Sequence, residues 1–365
     1  MQEMKPISFP NKKVWAHMSE KNTIKKYTPI LEPYGVEPQF VEEFGRIVKI
    51  YCSKGTFALK TIDPHKGSDF IRHVRTLYQK GYNRIVPIYP TVDGRYAVLH
   101  DHKLYYLMPW LPNEERETYF KKHQQMFREL ARLHVLSSKE VKIEKDDRQE
   151  HYENTLLELE KEQEFLDGYI EECENTEYMS PFQWMFCMYY HDVRQALKYS
   201  ETKLKEWYEE TKDAEKARVS IIHGKISPEH FLYDEKGYGY FTNFENARFG
   251  APSNDLLPFI ARSLKTAPKQ NNDCLEWIYT YFNYYPLKSD EMLLFLSYLA
   301  HPGPVIRICE KYHKSDKKKN ERKYAQSLLK QYWLLKNTEY IVMRIDEMER
   351  EKKAQQEAQK ETQDS

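Results

Sequence analysis

Residues 221–232 read Ile221-Ile222-His223-Gly224-Lys225-Ile226-Ser227-Pro228-Glu229-His230-Phe231-Leu232. Apolar pairs close both ends, and a His-Gly step, a lysine, a proline and a second histidine stand between them. Eleven residues past His230 comes Phe241-Thr242-Asn243-Phe244-Glu245, followed by Gly250-Ala251-Pro252-Ser253-Asn254-Asp255-Leu256. Val219 to Gly250 therefore reads as a compact strand-and-loop island. Asn243 and Glu245 are two apart at a strand end, a spacing that puts both side chains on one face.

Outward from the island the pattern is helical on both sides. Tyr152–Cys173 and Phe182–Trp207 carry long helical patterns, Phe127, Leu130, Ala131 and His134 share a helix face, and further helices run to about Met348. Ser137–Gln149 reads as a charged linker. The first third is different. Arg46–Tyr51 and Thr56–Ile62 form a hairpin pattern about Lys54-Gly55, and Asp69–Gln79 has helical spacing stopped by Gly81. Strand signals follow at Ile85–Ile88, Tyr96–Leu99 and Lys103–Met108, with an Asp93-Gly94 hairpin turn between the first two. Prolines at 109 and 112 end the run. The expected organisation is an extension at 1–20, a β-rich lobe with one helix at 21–112, a helical lobe at 113–348 carrying a loop at 221–250, and a charged tail at 349–365. The fold class is α+β, a small antiparallel sheet lobe followed by a larger helical lobe.

Composition narrows the function. Of 365 residues, 40% are hydrophobic, enough to pack substantial cores. Basic and acidic residues number 56 each, which argues against a dedicated nucleic-acid binder and removes the net repulsion that keeps copies apart. No apolar run approaches the roughly 18 residues of a membrane helix, and no secretory pattern opens the chain, so a cytoplasmic start without a membrane span is expected. The five cysteines are scattered, with no Cys-x-x-Cys pair, and read as reduced core residues rather than metal ligands. The lysine-rich run Lys314–Lys319 reads as a solvated loop.

The island resembles the catalytic loop of aminoglycoside and choline kinases, H-G-D-x-x-x-x-N, with the Asn243 segment similar to their metal-binding I-D-F and Gly250–Leu256 similar to their G-x-x-x-x-D-L helix start. Ala58-Leu59-Lys60 resembles the strand carrying a phosphate-binding lysine, and Leu130–His134 the helix before the loop. The whole, over roughly residues 40–335, resembles a two-lobed protein-kinase-like fold. Gly81–Pro87 leading into Thr91–Gly94, and Tyr105–Trp110, resemble the CotS family of spore coat proteins, in particular its YsxE type. That resemblance implies an endospore former, expression in the mother-cell cytoplasm, deposition in the coat, and other coat proteins or a second copy as partners.

The chemistry of the resembling positions is altered. Phosphoryl transfer uses a carboxylate to orient the attacking hydroxyl, and Mg²⁺ held by Asp and Asn. Lys225 stands at the orienting position and offers no acceptor. His230 stands at the Asn position and is a poor ligand for Mg²⁺. Asn243 stands at the metal Asp position and is neutral. The helix Asp69–Lys80 contains no Glu for Lys60, and the first hairpin has glycines only at its ends. The sequence therefore predicts a non-catalytic protein with no resident cofactor or metal. The alternative is an atypical phosphotransferase in which Lys60, Lys225 and Glu245 contact ATP phosphates or metal, with Glu229 as a further ligand. Lys225 paired with Glu245 is a third arrangement. His223 and His134 read as structural histidines, and Asp255 as the cap of a helix starting at Leu256.

Overall fold

The computed structural model describes residues 23–66, 69–113, 118–264, 266–315 and 320–363. The expected extension at 1–20 and most of the Lys314–Lys319 run lie outside the described residues. The chain divides into two compact units. One joins the described residues up to Lys122 with His223–Arg248; the other joins His123–Ile222 with the described residues from Phe249 onward.

The first unit is built on a five-stranded antiparallel sheet of β1 (Phe40–Phe44), β2 (Ile47–Cys52), β3 (Gly55–Ile62), β4 (Val98–His100) and β5 (Lys103–Pro109), in the order β1-β2-β3-β5-β4. Helix α1 (residues 23–31) places Tyr27, Ile30 and Leu31 against Val48, Ile50, Leu59 and Leu107 on one face of the sheet. The other face carries Tyr106, whose ring meets Phe70 of α2 (Asp69–Gln79) at 5.4 Å. With both faces covered, Ala58-Leu59-Lys60 is a continuous buried run, and the lysine within it is not the solvated strand residue its charge suggests.

Residues 223–248 group with this unit. The physical cause is backbone pairing. Phe241 donates its N–H to Arg84 O and accepts from Val86 N–H, and Asn113 N–H donates to Tyr233 O. The same bonds explain why the expected Ile85–Ile88 strand does not form. Val86 N–H is taken by Phe241 O and Ile85 O by the Tyr78 hydroxyl, and Pro87 and Pro90 have no N–H to give to a ladder. The Asp93-Gly94 turn exists, closed by Thr91 N–H to Arg95 O, but it does not join two strands of the sheet.

The second unit is helical: α3 (Tyr119–Ser137, from His123 on), α4 (Lys145–Glu174), α5 (Pro181–Thr211), α6 (Ser253–Ser263), α7 (Asn272–Tyr284), α8 (Ser289–Ala300), α9 (Gly303–Lys314) and α10 (Glu321–Gln363). Helix α5 starts at a capping box. Ser180 Oγ accepts from Gln183 N–H, Gln183 returns a bond to Ser180 N–H, and Pro181 fills the first helical position. α5 packs on α4, α8 and α10, burying Phe182, Phe186, Val193 and Leu197 with Ile306 and Leu328. The expected linker at Ser137–Gln149 instead holds a strand, Lys139–Lys142, paired with Lys216–Val219, and the first turn of α4. The charged tail continues α10 as far as Gln363. Ser289–Lys314 has the length and hydropathy of a membrane helix, but it is two helices broken at His301-Pro302, and 61% of its most apolar window is buried in the protein.

Candidate functional site

Lys60, Lys225, His230, Asn243 and Glu245 all lie in the first unit. Antiparallel register sets Tyr106 of β5 opposite Lys60 of β3. Paired residues project to the same face, so the tyrosine stands beside the lysine. Glu245 reaches both from the 3₁₀ turn Phe244–Asn246. Its Oε1 lies 2.5 Å from Lys60 Nζ and accepts the Tyr106 hydroxyl at 2.6 Å. The Lys60 and Glu245 side chains are 9% and 8% exposed, so this is a desolvated ion pair rather than a surface one.

The electrostatics follow from burial first. Burial lowers the affinity of the Lys60 ammonium for its proton; Glu245 partly opposes this, while Lys225 and Arg46 add repulsion. Burial alone would raise the Glu245 carboxyl, but the charge and hydrogen bond of Lys60, with the Tyr106 hydroxyl, hold it below the ordinary carboxylate range. Tyr106 is pushed well above an ordinary phenol by burial and by the neighbouring carboxylate.

The loop around Lys225 is clamped by two histidines. His223 Nε2 faces Thr242 O at 2.7 Å, and Nδ1 accepts the Lys225 N–H at 3.3 Å. A carbonyl only accepts, so the proton of His223 sits on Nε2. His230 Nδ1 donates to Lys225 O at 2.8 Å. The Lys225 backbone is thus held on both sides while its side chain is exposed. Burial, with repulsion from Lys60 and Lys225, keeps His230 below the ordinary histidine value although its bond to Lys225 O works the other way. Gly224 has φ +78°, and a Cβ there would lie 2.4 Å from Asn246 O, so the loop admits only glycine at this step. Asn243 adopts the left-handed conformation, φ 70° and ψ 44°, ahead of the turn that carries Glu245.

The structure brings Lys60 and Glu245 into direct contact and seats Lys225, His230 and Asn243 in the adjoining loop. The Lys225–Glu245 pair is not formed, because the carboxylate is taken by Lys60 and Tyr106. Among the described residues no ion pair reaches Lys225, and no group of three His, Cys, Asp or Glu side chains is arranged to hold a metal ion. The Mg²⁺ of a phosphotransferase does not fit this donor set: a solvated ammonium, a neutral imidazole, an amide, and a carboxylate already neutralised. Tyr106 was not legible as a site residue. Its signal was the register of two strands whose pairing a single sequence does not state.

In the second unit His134 and Asp255 are both fully buried. His134 Nδ1 lies 2.6 Å from Tyr281 OH, and Nε2 3.3 Å from Asp255 Oδ2. Asp255 is therefore not the cap of a helix at Leu256. α6 begins at Ser253, and the carboxylate of its first turn is directed to His134. Tyr189 is half-buried and stacked on Tyr332 at 3.7 Å, whereas Tyr284 is exposed, as are Trp184 and Met188 one turn apart on α5. The five cysteines are unpaired, and burial pushes Cys173 and Cys274 up to about 12.

No protein-family model and no curated protein matches the chain. Solved structures do. An aminoglycoside phosphotransferase from Alicyclobacillus acidocaldarius subsp. acidocaldarius DSM 446 superposes with a TM-score of 0.62 at 16% identity, over 87% of this chain and 96% of that one. The AMP-bound spectinomycin phosphotransferase APH(9)-Ia gives a TM-score of 0.50 at 12% identity, over 87% and 98%. The choline kinase LicA from Streptococcus pneumoniae gives 0.44 at 14% identity, over 89% and 99%. The chain therefore has the kinase-like fold of the aminoglycoside phosphotransferases, a small antiparallel sheet lobe and a helical lobe. Such identities speak for the fold; what the site does rests on its own residues.

Proposed function

We propose that this chain is a non-catalytic kinase-like protein that works by binding, as a structural or assembly component of the endospore coat. The observation that carries the first part is the loop beside the Lys60–Glu245 pair, in which Lys225 and Asn243 stand at the acidic positions. Lys225 offers no acceptor for a hydroxyl proton and Asn243 is neutral, so the two positions that orient the nucleophile and hold the metal in a phosphotransferase lack their carboxylates. The coat assignment rests on the resemblance of residues 81–94 and 105–110 to the CotS family. It carries with it synthesis in the mother cell and coat proteins or a second copy as partners. Exposed Trp184, Met188 and Tyr284 are apolar surface of the kind interfaces use.

The test is incubation with labelled ATP, Mg²⁺ or Mn²⁺ and a panel of sugars, aminoglycosides and coat proteins. No transfer is expected. Metal-dependent transfer that disappears in Lys60→Ala would establish the alternative, an atypical phosphotransferase. A fluorescent fusion in sporulating cells tests the location, and a uniform cytoplasmic signal through coat formation would remove the coat role.

A further inference from the structure

A cavity of about 610 Å³ lies within the sheet unit, away from Lys60, between α2 and the strand region of Arg95–Leu104. Its lining has two chemistries. Ile71, Tyr96, Ala97 and Leu104 are apolar or aromatic; Arg72, Arg75 and Arg95 are cations, and no carboxylate is among the described lining residues. Arg95 is already paired, with Asp93. Arg72 and Arg75 are exposed, and among the described residues neither has a carboxylate partner; Arg75 leans over the Tyr96 ring at 5.7 Å. Two unneutralised guanidinium groups therefore stand over an apolar floor.

The shape favours an extended chain over a compact ligand. Along α2 the lining runs through Arg72, Arg75, Thr76 and Gln79, two turns of helix and about 10 Å at 1.5 Å per residue. An extended peptide of about three residues spans that length. The opposite wall belongs to the sheet edge, where β4 is the outermost strand and Leu99 pairs with Leu104. Leu99 is 64% exposed and lies two residues from Ala97, so it prolongs the apolar floor along the strand. Gln79, at the end of the trough, offers an amide that both donates and accepts, as a peptide backbone requires.

We propose that this trough is a docking site for an acidic peptide segment of a partner protein, in which a large apolar side chain lies on Tyr96, Ala97 and Leu104 and flanking carboxylates face Arg72 and Arg75. Charge complementarity selects the occupant. Filling an apolar floor with a hydrophobic side chain brings the flanking groups under the two arginines, where carboxylates are favoured and lysines repelled. The site uses no residue of the Lys60 loop, so it stands or falls separately from the absence of phosphotransfer.

The test is fluorescence anisotropy of the full chain with the labelled pentapeptide Glu-Glu-Phe-Glu-Leu. Saturable binding with a Kd below about 1 mM at low salt is expected, weakening as salt screens the charges. Arg72→Gln/Arg75→Gln and Arg72→Glu/Arg75→Glu should each weaken it at least about tenfold, since both arginines lose charged partners. Their melting curves should match the parent, because Arg, Gln and Glu are similar helix formers at exposed positions. Equal affinity for Gln-Gln-Phe-Gln-Leu, unchanged binding in the arginine variants, or no binding at about 1 mM would overturn the proposal. So would phenyl phosphate binding as tightly as the peptide, which would make the trough a small-anion site.

Discussion

Lys60 Nζ and Glu245 Oε1 are 2.5 Å apart, and both side chains are more than nine-tenths buried. In kinases the strand lysine is held by a glutamate of the sheet-lobe helix and engages phosphates. Here α2 offers no glutamate, and the carboxylate arrives from the loop that follows Asn243. Glu245 thereby supplies from the loop the ordering contact that α2 lacks.

Removing one partner leaves the other buried and unpaired. Glu245→Ala or Lys60→Met alone should cost about 3–5 kcal/mol in urea unfolding of the sheet unit. The apolar replacement Lys60→Met/Glu245→Leu/Tyr106→Phe should recover most of that loss, because no buried charge or hydroxyl remains. A triple variant no more stable than Glu245→Ala would mean the pair contributes through something other than charge compensation.

Acid should destabilise the protein in two stages. His230 has a folded value below 6.5, so as pH falls past 6.5 the unfolded chain binds a proton that the native chain resists, and stability drops. Glu245 has a folded value below 4.5; its contribution is complete above 4.5 and is lost as pH falls through the folded value. His151, also lowered by burial, acts with the same sign as His230 in the helical unit. NMR titration should place the His230 midpoint below 6.5, and His230→Asn should reduce the loss of stability between pH 7 and 5. A midpoint above 6.5 would contradict the desolvated, cation-flanked environment.

Restoring the acidic loop should be structurally mild. Lys225 is exposed, and Asp is among the residues that tolerate the left-handed backbone of Asn243. Lys225→Asp/His230→Asn/Asn243→Asp is expected to fold and to gain a MgATP-dependent rise in melting temperature that the parent lacks. A rise in the parent protein would show that the loop binds nucleotide without its acidic residues.

Gly224→Ala should cost more than the about 1–2 kcal/mol of left-handed strain alone, because the new methyl meets Asn246 O. The comparison is the unfolding midpoint of Gly224→Ala against Gly237→Ala, where φ is also positive but nothing lies within 4 Å. Equal losses would place the cost in backbone strain only.

For the helical unit, Trp184→Ser/Met188→Ser should leave the melting temperature nearly unchanged, since both side chains are largely exposed, and should abolish incorporation into the coat. Tyr189→Ser should instead lower stability by losing its stack on Tyr332. Normal coat incorporation of the Trp184/Met188 variant would place the interface elsewhere.

Periodicity made α2 and the bodies of α4 and α5 legible, with Gly81 marking the end of α2, while the first turn of α4 was hidden in a charged stretch. The β2–β3 hairpin was legible for the same reason, from alternation about Lys54-Gly55. Ile85–Ile88 misled because its apolar run fits a strand, and only a distant partner, Phe241, decides how its backbone is used. Of the site, Lys60, Lys225, His230 and Asn243 were recognisable from motif order. The partner of Lys60 was not. Which carboxylate meets it depends on a left-handed turn at Asn243 and on the β3–β5 register, both set by tertiary structure.

The sheet unit is assembled from two stretches of chain separated by residues 123–222, and this orders events during synthesis. A ribosome emits β1 to β5 long before Glu245, so the nascent sheet holds Lys60 with no counter-charge and Phe241 absent from its place beside Ile85. Desolvating a lone ammonium is unfavourable, so the sheet should not seal until the later segment emerges. The helices made in between must be accommodated first. Truncation anywhere before residue 248 should therefore yield an aggregation-prone product rather than a stable small lobe.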